Sequence, residues 1–189
     1  MIFSVQYSVA VGRLRTETDP SEANGTKLKL RLRTMLLSYL KFLLKSTNQH
    51  GVHSPFVYDL VTKCFYSKKK TPKHASLNKQ QRLFLRIVDY FNPKTVWVVS
   101  DYLVDEPREE AFDLISFPKP DLNNFEGLLP TLTNDSVWVF RKIHETPENE
   151  KIWKQIMQHP KVTVTVDTFH FGLVFFRKEQ EKEHFVIRV

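Results

Sequence analysis

The spacing of apolar residues changes character near residue 93 of this 189-residue chain. Before that point apolar positions follow a helical period; after it they come in short, nearly unbroken runs. Leu32, Met35, Leu36, Tyr39, Leu40, Leu43 and Leu44 recur at i, i+3, i+4, i+7 and i+8, which predicts a helix over about 28–46. The basic–apolar alternation over 27–33 would by itself suit a strand. Ser54 then reads as an N-cap, with Pro55 at the first helical position, for a helix ending near Tyr66. Leu83, Phe84, Ile87, Val88 and Phe91 place a third helix over 77–91, and Asn92-Pro93 stops it.

Beyond Pro93 the segments 95–100, 112–117 and 136–141 read as strands buried on both faces of a parallel sheet. A short helix and turn fit 122–132, and a helix over 147–158 sets Trp153, Ile156 and Met157 on one side. The strands expected at 162–166, 171–177 and 184–189 have short connections, which suits antiparallel pairing. The order α-α-α-β-β-α-β-α-β-β-β implies a layered α/β fold with an antiparallel finish. Residues 16–26 are polar and carry Pro20 and Gly25, so residues 1–26 read as a flexible leader. The expected organisation is that leader, a basic helical segment 27–92 and an α/β domain 93–189.

Composition sharpens this picture in two places. The net charge is +7, with 28 basic against 21 acidic residues. Residues 27–73 hold eleven Lys or Arg against Asp59 alone, so the remainder of the chain is slightly acidic. A basic amphipathic helix of this kind packs its stripe on a core, lies on an anionic membrane or contacts nucleic acid. The first is the ordinary outcome, and aromatics do not interleave with the cations as single-strand binders require. The run 68–73, KKKTPK, reads as a solvated loop.

The second informative figure is five glycines: Gly12, Gly25, Gly51, Gly127 and Gly172. None lies within 12 residues of another, so no glycine-rich phosphate loop exists. The one cysteine, Cys64, excludes an internal disulfide and sits in an apolar run as a buried thiol. No stretch is apolar for long enough to cross a membrane as a helix. The first residues have basic side chains after rather than before their apolar run, the wrong order for a secretory signal, and a cytoplasmic location is expected.

Candidate chemistry is sparse. His50 and His53 flank Gly51 and Val52, but no nearby third ligand points to a metal. The carboxyl ends of parallel strands are where α/β folds place their sites. Here those ends are Ser100-Asp101, Pro118-Lys119-Pro120 and the run Arg141 to Glu145. Asp101 suits hydroxyl groups of a ligand, and His144 suits a base, although capping or surface roles are the ordinary alternatives.

The segment 39–66, YLKFLLKSTNQHGVHSPFVYDLVTKCFY, resembles the amino-terminal part of a bacterial family of class I S-adenosylmethionine-dependent methyltransferases. The resemblance resumes over 81–99, again from FDLISF at 112 through 144, and over 159–189. It implies an incomplete Rossmann-like methyltransferase sheet, parallel with antiparallel C-terminal strands, preceded by helices. It also implies S-adenosylmethionine as cofactor, with Ser100 and Asp101 at its binding turn and His144 as the catalytic candidate. Several family features are missing from this chain. The turn after 95–100 has no glycine, and only about a dozen residues separate it from FDLISF, where the family has two further strands. Pro118 and Lys119, and then Arg141 and Lys142, stand where acidic residues are expected. A cation in place of a carboxylate inverts the local charge. The chain thus reads as a degenerate, internally shortened member, a pseudoenzyme whose cofactor site is eroded and whose methyl acceptor is unknown. The alternative is a non-catalytic binding or scaffold protein using residues 27–73 on an anionic membrane surface or nucleic acid. Missing central strands leave sheet edges open, so self-association is also expected.

Overall fold

The computed structural model describes residues 20–67, 77–99 and 111–189; within its first helix it describes the side chains of residue 29 and of residue 32 onward. Ser100, Asp101, the run 68–73 and residues 1–19 therefore lie outside the described residues.

The first helix, α1, runs Pro20–Lys45, eight residues earlier than the apolar spacing predicts, so residues 20–26 of the expected leader are helical. A short 3-10 turn, Gln49–Gly51, follows, capped by the Asn48 side chain. The Ser54 side chain caps α2 (Pro55–Asp59), as Ser-Pro at its start predicts. This helix continues as a π-helical segment, Leu60–Phe65, whose Leu60, Val61, Cys64 and Phe65 are all buried. Asn78 and Gln81 form a reciprocal capping box at the start of α3 (Lys79–Phe91), and Asn92 ends it in the left-handed conformation.

The remaining elements are β1 (Val96–Val98), β2 (Leu114–Phe117), α4 (Leu122–Leu128), β3 (Val137–Arg141), α5 (Pro147–Gln158), β4 (Val164–Asp167), β5 (Phe171–Phe175) and β6 (Glu183–Val186). They form one six-stranded sheet in the order β1-β2-β3-β5-β4-β6. β1, β2 and β3 pair in parallel, and β5 runs antiparallel to both β3 and β4. The expected antiparallel finish holds for β4 and β5 but not for β6, which lies parallel to β4. Topology explains the difference. Both edges of β5 are taken by β3 and β4, so the last strand passes to the free edge of β4. There, Thr47 bridges Ile187 and ties the end of α1 to the C-terminus.

Each sheet face carries its own apolar layer. One buries Val57, Leu60, Phe65 and Ile87 against Leu114, Val139 and Leu173. The other buries Phe125, Trp153 and Ile156 against Ile115, Trp138 and Phe140. The helical residues 52–91 and the sheet therefore share one core. Phe117 and Phe140 stack at 4.3 Å across neighbouring strands of that second layer.

Helix α1 departs from its expected packing. Phe42 and Ser46 are buried, whereas Leu36 is 58% and Leu44 89% exposed. The sheet face that could receive the leucines is already covered by α2 and α3. What docks α1 is instead Ser38, bonded to Glu150 in the first turn of α5, and Tyr39 and Phe42, which pack on Phe169 and His144 just beyond the ends of β4 and β3.

Candidate functional site

Three strand termini converge beside α3 and α1. β3 ends in Arg141, and Lys142, which follows it, has a positive φ of 56°. β4 ends in Asp167, and the three-residue link to β5 places Phe169 at φ 70°. Neither is glycine, so each left-handed residue carries strain that its neighbours must hold. The Asp167 Oδ1 accepts the Phe169 N–H at 2.8 Å. The Lys142 N–H donates to the His170 carbonyl, and the Asn149 side chain donates to the Lys142 carbonyl at 2.8 Å. Strained non-glycine backbone held on both sides of one cleft marks it as a candidate site.

At its floor lies His144, with Nε2 2.7 Å from Asp167 Oδ2 and Nδ1 3.2 Å from Glu150 Oε1. The Ser38 hydroxyl donates to the same Glu150 oxygen at 2.6 Å. Phe169 stacks on the imidazole, and Phe42 meets it edge-on. Burial alone would pull the His144 pKa down, but hydrogen bonds and charge from Asp167, then Glu150, outweigh it, and the net shift is upward. Burial pushes the Glu150 carboxyl up, yet bonds from Ser38 and His144 bring it below its ordinary value. Both ring nitrogens of His144 are engaged by carboxylates, so neither stands free toward a ligand. In this geometry His144 acts as a clamp between α5 and β4 rather than as the free base that strand-end reasoning suggests.

A cavity of about 530 Å³ opens above this clamp, between α3, Met35 and the ends of β3 and β5. Its walls include Phe84, Phe169 and Phe171, with Arg141, Gln80 and His170 among the polar groups. The Arg141 guanidinium sits 4.9 Å over the Phe84 ring. The Gln80 side chain meets His170 Nδ1 at 3.1 Å. Burial, followed by the charge of His144, keeps the His170 pKa below its ordinary value. A second hollow of about 370 Å³ lies beyond Phe169 and His170 and is rimmed by Lys79, Arg82, Arg86 and Arg188.

No protein-family profile, curated protein or solved structure matches this chain. The site must therefore be read from its own residues.

Of the candidates from sequence, His144 falls inside the cleft, and Ser100 and Asp101 lie outside the described residues. His50 and His53 are both exposed and stand apart from the cavity. The motif around them has a structural use. Val52 and Ser54 are buried, and the Ser54 hydroxyl donates to Gln180 at 3.1 Å. A Cβ on Gly51 would come within 2.9 Å of the Thr47 side chain. Cys64 is buried, with its thiol pushed up to about 12 by burial, so it is no nucleophile. Among the described residues no cluster of three His, Cys, Asp or Glu is arranged to hold a metal ion, and no helix is long and apolar enough to cross a membrane. The residues that sequence reasoning passed over are Asp167, Glu150 and His170. Their spacing of 3 to 20 residues from one another carries no recognisable motif, and only the β4–β5 hairpin and the start of α5 bring them to His144.

Proposed function

We propose that this chain is a degenerate, internally shortened protein of the class I methyltransferase type that has lost methyl transfer and acts by binding. The observation that carries the reading is the carboxyl end of β2, where the chain passes into Pro118-Lys119-Pro120. Two of these three residues lack an amide hydrogen, and the exposed Lys119 brings a cation where the resemblance calls for an acid. The position of β1 supports the same reading. It is the last strand of the sheet, no described residue pairs with its outer side, and Val96 and Val98 are about half exposed. The resemblance puts two further strands there, and that open edge is where self-association would occur. Titration of purified protein with S-adenosylmethionine, followed by calorimetry, is expected to give no heat up to millimolar concentration. Micromolar binding would overturn the loss of the cofactor site.

The exposed face of α1 favours a second reading, peripheral contact with an anionic membrane. Leu32, Leu36, Leu40 and Leu44 follow one another at four-residue intervals and are all exposed. Lys29, Arg33, Lys41 and Lys45 are exposed on the same helix. Apolar side chains bordered by cations match the lipid–water boundary, whereas bases would need stacking aromatics between the charges. Vesicles containing anionic lipid are expected to float the protein at low salt and to release most of it at high salt. Replacing Leu36 and Leu40 together by Ser should weaken the association severalfold. Equal recovery with purely neutral vesicles, or none with either, ends this reading.

A further inference from the structure

The cavity above His144 sets the Arg141 guanidinium and the His170 ring beside a group of aromatic side chains. We infer that it binds an organic oxyanion with a flat apolar body, its head on Arg141 and its body against Phe169 and the Phe84–Phe171 pair. This does not depend on whether S-adenosylmethionine binds, because the end of β2 contributes nothing to the cavity wall.

Charge is what selects the head. Among the described residues the Arg141 guanidinium has no carboxylate partner, and its Nε is buried without a hydrogen bond. Its contact with Phe84 orients the planar group but leaves its hydrogens unused, and a buried donor without an acceptor is costly. The other cations nearby are already matched. His144 is held by Asp167 and Glu150, and Lys142 lies 3.5 Å from Glu145. Among the described residues Glu145 is the one carboxylate in the wall, and its pairing with Lys142 partly neutralises it. The uncompensated charge in the wall, among the described residues, is therefore Arg141. His170 adds a second donor. With Nδ1 accepting from the Gln80 amide, its hydrogen resides on Nε2, and its lowered pKa keeps the ring neutral.

Shape selects the body. A cavity of about 530 Å³ exceeds a bare phosphate or acetate severalfold and lies within the range of small-molecule sites. Its apolar surface comes mainly from aromatic rings, with Phe84 and Phe171 6.1 Å apart by centroid. Rings at that spacing pack on each other and present one aromatic wall, against which a flat partner lies stacked or edge-on.

Calorimetric titrations with 2-naphthoate, with the neutral 2-naphthamide and with inorganic phosphate separate head from body. The expected result is that naphthoate binds roughly tenfold or more tighter than naphthamide, the difference a charge-assisted hydrogen bond makes. Arg141→Met should weaken naphthoate by about the same factor and leave naphthamide unchanged. Arg141→Lys, which keeps the charge but not the fork, should fall between, and it also serves if the methionine variant does not fold. Naphthamide equal to naphthoate, or no loss in either Arg141 variant, overturns the role of Arg141. Phosphate binding as tightly as naphthoate overturns the apolar body, and the absence of naphthoate binding at millimolar concentration overturns the site.

Discussion

Replacing His144 by Ala is expected to destabilise the protein by ~2–3 kcal/mol, somewhat below the roughly 3–5 kcal/mol for breaking a fully buried pair. For a chain of this size that corresponds to a fall in Tm of roughly 5–10 °C. The reason is what the substitution leaves behind. The Asp167 side chain is 11% exposed and that of Glu150 28%, so two carboxylates lose their shared cation in a place where water replaces it poorly. Asp167 also holds the strained Phe169, so the β4–β5 hairpin should loosen together with the pair. Removing the cation also changes the pH profile, in a direction that the folded-state shifts determine. The His144 pKa is raised on folding, so its contribution is fully present below the ordinary histidine value near 6.5 and is lost as pH rises through the folded value. The Glu150 pKa is lowered, so its contribution is present above about 4.5 and is lost as pH falls through the folded value. Denaturant titrations of the wild-type protein should therefore show a maximum between these limits. In His144→Gln the alkaline decline should vanish. A variant that keeps wild-type stability, or keeps that decline, would show that the clamp is not formed in solution.

Gly172→Ala should cost ~2–3 kcal/mol, the upper part of the range for overpacking a core. No described glycine has a positive φ, so Gly172 is required for room rather than for conformational freedom. A Cβ there would lie 2.5 Å from Cη2 of Trp153 and under 3 Å from two more indole carbons. The ring cannot step aside. Trp153 is 2% exposed and packs against Phe140 in the layer beneath α5. Thermal or denaturant unfolding of a double-mutant cycle with Trp153→Leu tests the cause. The leucine alone opens space and destabilises, but adding Gly172→Ala to it should cost at least ~1 kcal/mol less than in the wild-type background. Additive costs would place the strain elsewhere. Gly127, with open space around its Cβ position inside α4, is the control; its alanine variant should gain about 0.5–1 kcal/mol.

Along the chain Gly172 carries no signal for its role, and His144 stands out there only as a strand-end candidate and not as a clamp. The elements themselves were largely legible. Ser54-Pro55 and Asn92-Pro93 mark a helix start and a helix end through capping chemistry and a missing N–H, both local effects. The runs at 112–117 and 136–141 read as buried strands because both faces of the sheet are covered. Periodicity misled at α1, because it reports that a helix has an apolar side and not that a core surface remains free to receive it. It also could not place β6, since pairing depends on which edge earlier strands have left open.

For function the division is sharper. From the residue order alone came the α/β class, the basic segment 27–73, the buried and inert Cys64, the lack of any phosphate-cradling glycine loop and His144 near a strand end. These follow from local rules: hydrophobic period, formal charge and the conformational demands of glycine and proline. Only the tertiary structure decided that His144 is held between Asp167 and Glu150, that Arg141 faces an aromatic cavity beside His170, and that the leucines of α1 point outward. Each of these joins groups separated by many residues, and electrostatic and packing energies act through space rather than along the chain.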